Sequence, residues 1–148
     1  MKTAPYLLFV LALGAAGCSD SRPYRTAPVS GRVTLDGQPL ADAWVTFQPE
    51  HDPKAGILSG PEAHGTTDAD GRYALTTVFK DRGATIGRNR VTITTLKMER
   101  SNPQDPESRL KRVAPEKVPG KYFTAKGWLY FDVPAEGTKS ANFDLTSK

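Results

Sequence analysis

Val29-Ser30-Gly31-Arg32-Val33-Thr34-Leu35-Asp36-Gly37 reads as one strand and the turn that ends it. Val29, Gly31, Val33 and Leu35 share one face, and Ser30, Arg32 and Thr34 share the other, which is the period of a half-buried strand. Asp36-Gly37 supplies the residue pair that best tolerates positive φ in a tight reversal. Pro39-Leu40 then leads into a second strand, Ala43–Gln48, with Val45 and Phe47 on one face and Trp44 and Thr46 on the other.

The same reading continues along the chain. After a loop from Pro49 to Glu62, a third strand is expected at His64–Thr67, and Asp68-Ala69-Asp70-Gly71 turns the chain into Arg72–Val78. Arg88–Leu96 is the fifth strand, carried by the β-branched run Val91-Thr92-Ile93-Thr94-Thr95. Trp128–Val133 and Ala141–Leu145 alternate in the same way. Thirteen glycines and twelve prolines punctuate these runs, and no convincing amphipathic helix interrupts them. The expected fold is all-β, a seven-stranded antiparallel two-sheet sandwich. Its core should hold Val33, Leu35, Val45, Phe47, Tyr73, Leu75, Val91, Ile93, Leu129, Phe131, Phe143 and Leu145.

Ahead of the strands lies a segment of different character. Lys2 is followed by the apolar run Leu7-Leu8-Phe9-Val10-Leu11-Ala12-Leu13 and by small residues up to Gly17, the layout of an export signal. The run is too short to span a bilayer, which takes about 20 apolar residues. Cys18 follows at once and is the one cysteine of the 148 residues, so no intramolecular disulfide is open to it. Residues 1–17 are therefore expected to be a signal peptide, 18–28 a polar tether containing two prolines, and 29–148 a single domain of ordinary size.

Ala15-Ala16-Gly17-Cys18 resembles a bacterial lipobox, where cleavage precedes the cysteine and lipid is attached to it. That resemblance implies a membrane anchor through lipid on Cys18. Ser19, where Asp would favour inner-membrane retention, fits outer-membrane sorting. The stretch Val29–Leu40, with Ala43-Trp44-Val45-Thr46-Phe47, Thr67-Asp68-Ala69-Asp70-Gly71-Arg72-Tyr73, Val118-Pro119-Gly120-Lys121-Tyr122 and Asn142-Phe143-Asp144-Leu145, resembles the carboxypeptidase-regulatory-like domain. With the lipobox, the whole is similar to the small lipoproteins of planctomycete-type bacteria. The resemblance implies a transthyretin-like sandwich and, for members in general, no assigned activity.

Candidate chemistry is sparse. Asp68-x-Asp70-Gly71 has the start of a calcium loop but lacks its terminal glutamate, since Phe79 stands there, and a hairpin turn demands the same residues. His51 and His64 bracket one loop with Glu50, Asp52 and Glu62, without a recognised zinc spacing. They are the obvious acid–base candidates for a metal-dependent enzyme. No nucleophile elbow or phosphate loop is present, and the closing Leu145-Thr146-Ser147-Lys148 lacks the Tyr-Arg-Gly-Ser of hydroxyisourate hydrolase, an enzyme of the transthyretin fold. Neither a metal nor a cofactor is expected.

Trp128 and Tyr130 lie opposite Leu129 and Phe131, and Trp44 lies opposite Val45 and Phe47. A single-sided core leaves these aromatics outward, as possible ligand-binding rings; long loops over the sheet would bury them instead. Between Lys97 and Lys126 eight basic residues face four acidic ones, a surplus equal to the net charge of +4 of the whole chain. That segment is either an ordered functional loop or a mobile, solvated one. The expectation is a non-catalytic, lipid-anchored envelope protein that makes structural or binding contacts, its partner an envelope protein or a glycan. The alternatives are a carbohydrate-binding module using Trp44, Trp128 and Tyr130, and an enzyme at His51 and His64. Export removes nucleic acid from the expected partners.

Overall fold

The computed structural model describes residues 22–50 and 60–148. The expected signal peptide, Cys18 and His51 lie outside the described residues. The strands are β1 (Thr26–Ala27), β2 (Ser30–Leu35), β3 (Gln38–Pro39), β4 (Trp44–Pro49), β5 (Ala63–Thr66), β6 (Arg72–Ala74), β7 (Thr76–Thr77), β8 (Ala84–Thr85), β9 (Gly87–Thr94), β10 (Lys97–Arg100), β11 (Leu110–Ala114), β12 (Leu129–Val133) and β13 (Phe143–Leu145). A single 3-10 turn at Gly120–Phe123 is the one helical element among the described residues. The protein is an all-β sandwich, as the alternation predicts.

One layer is a fully antiparallel sheet of order β12-β9-β4-β5-β7. The other is built around β2, which pairs with β13 on one side and with β3 and β6 on the other. Two short additions, β1–β8 and the β10–β11 hairpin, complete the strand pairs. One feature departs from the expected antiparallel pattern. β13 runs parallel to β2, with Phe143 opposite Val33 and Leu145 opposite Leu35. The C-terminal strand reaches β2 after a long excursion rather than by a hairpin, so nothing obliges it to reverse direction.

Local chemistry accounts for the turns. Asp36 and Gly37 take φ of 50° and 81°, both positive, in the two-residue loop between Leu35 and its partner Gln38. In the second turn Asp68 Oδ1 accepts the N–H groups of Asp70 (2.9 Å) and Arg72 (2.8 Å), and Gly71 sits at φ +75°. Gly31 serves another purpose: a Cβ there would stand 1.9 Å from the Ala141 carbonyl oxygen, so only glycine lets the segment before β13 approach β2.

The core lies between the layers. Phe47, Phe131 and Phe143 meet as three tilted rings with centroids 5.8 to 6.2 Å apart, the first two from the five-stranded sheet and the third from the other. Val33, Val45, Tyr73, Leu75, Val91, Ile93 and Leu145 are buried around them. Leu35, Leu129 and Phe131 are only partly buried, which corrects their placement in the expected core. Phe131 and Leu129 belong to β12, which among the described residues is an edge strand with β9 as its neighbour.

The buried core also holds residues beyond the expected set: Val29, Val133 and Ala141 on the inward face of expected strands, and Ala27, Leu40, Ala43, Ala63, Ala84 and Val118 from small residues and turns. Ala27 belongs to the expected tether. Thr26 and Ala27 pair with Thr85 and Ala84, so the last residues before Val29 are already part of the sandwich. The expected strand Arg72–Val78 is likewise divided, with β6 pairing β2 in one layer and β7 pairing β5 in the other.

Candidate binding face

The five-stranded sheet has one side against the core and, among the described residues, no layer on the other. On β4 the free side carries Trp44, Thr46 and Gln48; on β9 it carries Arg88, Arg90, Thr92 and Thr94. The register places Tyr130 beside Arg90 and Asp132 beside Arg88 on the neighbouring β12, and His64 beside Thr46 on β5. These side chains project to solvent because strand alternation turns every second residue away from Val45, Phe47, Val91 and Ile93.

The three aromatic residues singled out from the sequence are exposed: Trp44 by 45%, Trp128 by 41% and Tyr130 by 37%. The structure brings two of them together. Arg88 lies over the Tyr130 ring at 4.5 Å and Arg90 over the Trp128 ring at 4.7 Å, so guanidinium groups and π faces interleave along the β9–β12 edge. Each arginine is also held from β4 or just beyond it. Arg88 Nε pairs with Glu50 at 2.9 Å, and Arg90 donates to the Gln48 side-chain oxygen. An open hollow of about 250 Å³ lies beside this cluster, lined by Gln48, Pro49, Glu50, Arg90 and Trp128.

Trp44 stands apart. Two strands and four residue rows separate it from Tyr130, about 16 Å at ordinary strand spacings. Its ring stacks on His64 with centroids 4.7 Å apart and planes inclined by 17°. Beside it a wider groove of about 510 Å³ runs between the sheet and the base of the β10–β11 hairpin, with Thr66, Thr94, Leu96 and Met98 in its walls. The arginines that order the first cluster carried no signal in the sequence reading. Their spacing of two on β9, matched by Trp128 just before β12 and Tyr130 within it, is a signal that would have found them.

The remaining candidates have structural employment. Asp68 is committed to its own turn by the two backbone bonds already described. Thr67, next to it, donates its hydroxyl to the Leu40 carbonyl (2.6 Å) and receives the Ala43 N–H (2.8 Å). Asn142 Oδ1 accepts the Arg32 N–H at 2.9 Å, and Asp144 Oδ1 accepts the Thr34 hydroxyl at 2.7 Å. Among the described residues no group of three or more His, Cys, Asp or Glu side chains is placed to hold a metal ion. His64 is taken up by Trp44, and its proposed counterpart His51 lies outside the described residues.

The basic segment is an ordered hairpin in its first half. Met98 pairs with Arg112 and Arg100 with Leu110. Glu116 ties its base to the sheet, accepting hydrogen bonds from the Thr94 hydroxyl, from Thr95 N and Oγ1 (both 3.0 Å) and from Val118 N (2.9 Å). Partial burial pushes the Glu116 carboxyl up, but these donors outweigh it and hold its pKa below the ordinary value. Asn89 is a buried polar residue that sequence reasoning missed. Its amide nitrogen donates to the carbonyls of Thr85 (2.9 Å) and Gly87 (2.8 Å), while Oδ1 has no partner among the described residues.

No protein-family model matches the chain. No curated protein matches it either. Among solved structures, a 9R-lipoxygenase from Cyanothece PCC8801 aligns with 86% of this chain at 10% identity and a TM-score of 0.37. The chain spans 17% of that enzyme's length, and so slight a likeness carries no argument about activity.

Proposed function

We propose that this chain is a non-catalytic envelope protein of the carboxypeptidase-regulatory-like type, held to the outer membrane by lipid on Cys18, which makes its binding contacts through the free face of the five-stranded sheet. The observation that carries the reading is the Trp128–Arg90–Tyr130–Arg88 cluster. Two half-exposed rings are kept in place by cations that are themselves tethered, on a surface that no other layer covers among the described residues. Exposed aromatic side chains with their rotamers restrained lose little entropy on binding, which is what a contact surface requires. A photo-crosslinking residue placed at position 130 in living cells is expected to give a discrete adduct that the same probe at Glu136 does not. No adduct at position 130 would remove the face from the proposal.

The second reading takes the partner to be a glycan. Flat rings beside the hollow at Gln48, Glu50 and Arg90 offer stacking and hydrogen bonding to a sugar together. Retention of the purified protein on envelope polysaccharide, and its loss in Trp128→Ala, is the expected result on this reading.

A further inference from the structure

Phe79 is 67% exposed, more than any other large hydrophobic side chain among the described residues, and Val78 beside it is 53% exposed. Single apolar side chains on a surface are ordinary, but an adjacent pair held at the apex of a tight loop is not. The loop is firmly closed. Thr77 N donates to the Asp81 carbonyl (2.8 Å), Lys80 N donates to the Thr77 carbonyl (2.8 Å), and Val78 N donates to the Glu62 carbonyl (3.1 Å). The buried Thr77 hydroxyl accepts the Asp81 N–H at 3.0 Å, and Lys80 takes the left-handed conformation at φ +66° that the reversal demands.

The charge around this apex is lopsided. Lys80 and Arg82 belong to the loop itself, and the N-terminal segment brings Arg22 onto Asp81, with Arg25 further along, its carbonyl accepting the Ile86 N–H. Among the described acidic residues next to the loop, Asp81 is paired with Arg22 at 2.7 Å, and Glu62, whose carbonyl holds Val78, is exposed, against the further cations Lys80 and Arg82. Arg22 stands four residues after Cys18 in the sequence. Four residues reach at most about 14 Å.

We infer that the Val78-Phe79-Lys80 loop is a second membrane contact, in which Val78 and Phe79 enter the boundary between headgroups and acyl chains while Lys80 and Arg82 face the phosphates of anionic phospholipids. Nearness to the bilayer rests on the proposed anchor at Cys18; the apolar apex and the cations of its loop do not. Such a combination is what an interfacial contact needs, because apolar burial and attraction to anionic headgroups add. It also orients the protein. The loop follows β7, at one edge of the five-stranded sheet, whereas Tyr130 is on β12 at the other edge, four strand spacings or about 19 Å away. Docking through the loop leaves the aromatic cluster at the far side of the sheet, free for a partner.

The test uses the mature full-length chain carrying Cys18→Ser and an N-terminal polyhistidine tag in place of lipid. It is bound to vesicles of phosphatidylethanolamine and phosphatidylglycerol that contain a nickel-chelating lipid. With Phe79→Cys bearing a polarity-sensitive fluorophore, emission is expected to shift to the blue, rise several-fold and be quenched by spin-labelled lipid. The same fluorophore at Asp132→Cys, on the far edge strand, should stay unchanged. A position-79 label that remains as water-exposed as the position-132 label overturns the proposal. Replacing phosphatidylglycerol with phosphatidylcholine should reduce the shift; an undiminished shift overturns the role given to the cations. Because the tag substitutes for lipid, the outcome stands whether or not Cys18 is acylated, and the mass of the native mature N-terminus tests the anchor by itself.

Discussion

The two faces of β4 and β9 come from the same residues read alternately, yet they are organised by different forces. Inward, Val45, Phe47, Val91 and Ile93 have at most 2% of their surface exposed and interlock with Phe143, Val33 and Leu145 of the other layer. Outward, Trp44 stacks on His64, and Arg88, Arg90, Trp128 and Tyr130 are ordered by cation–π contacts, one ion pair and one side-chain hydrogen bond. The inner face gains stability from excluded water and close packing, so any lost volume is felt. The outer face stays in water, where each of its contacts is worth little. A surface so arranged is free to change its contacts when a partner arrives.

The largest expected effect tests the inner face. Phe47→Ala removes the ring that joins β4 to both Phe131 and Phe143, and should cost about 3–5 kcal/mol in a urea unfolding series. A loss under about 1 kcal/mol would show that the two layers are held by something other than this three-ring contact.

An intermediate effect is expected where the hairpin meets the sheet. The folded Glu116 carboxyl has a lowered pKa, so in acid the unfolded chain binds more protons than the folded one. Its contribution is complete above the ordinary glutamate pKa and is lost as the pH falls through the lower folded value. Glu116→Gln should therefore flatten the acid side of the stability curve and speed amide exchange in β10 and β11, while leaving the phenylalanine core protected. An unchanged acid limb would mean that the hairpin docks without this carboxylate.

The smallest effect belongs to the outer face. Trp128→Ala should change unfolding free energy by about 1 kcal/mol or less, the scale of an exposed cation–π contact. The same variant is expected to lose polysaccharide retention on the glycan reading. A large drop in stability would instead make Trp128 a packing residue and remove the contrast between the faces.

Much of this architecture was legible in single residues. Val33, Val45, Phe47, Val91, Ile93, Phe143 and Leu145 are buried because period-two alternation leaves them one direction to point. The turns at Asp36-Gly37 and Asp68–Gly71 followed from residues that tolerate positive φ or bind their own backbone. The outward placement of Trp44, Trp128 and Tyr130 followed too, but not their exposure, since that depended on whether loops crossed the sheet. The division of Arg72–Val78 between layers had no local signal, because Leu75 looks the same whether its strand stays in one sheet or changes to another.

The sequence by itself determined the principal strands, the turn residues, most of the core and which aromatic rings face away from it, because each of these depends on neighbours within a few positions. Only the tertiary structure decided that β13 joins β2 in parallel, that residues 26 and 27 belong to the sandwich and that Arg88 and Arg90 cover Tyr130 and Trp128. It alone also brought the cationic N-terminal segment beside the apolar apex at Phe79. These contacts join residues distant in sequence. Their geometry is set by how the two layers close on one another, which no local pattern of residues encodes.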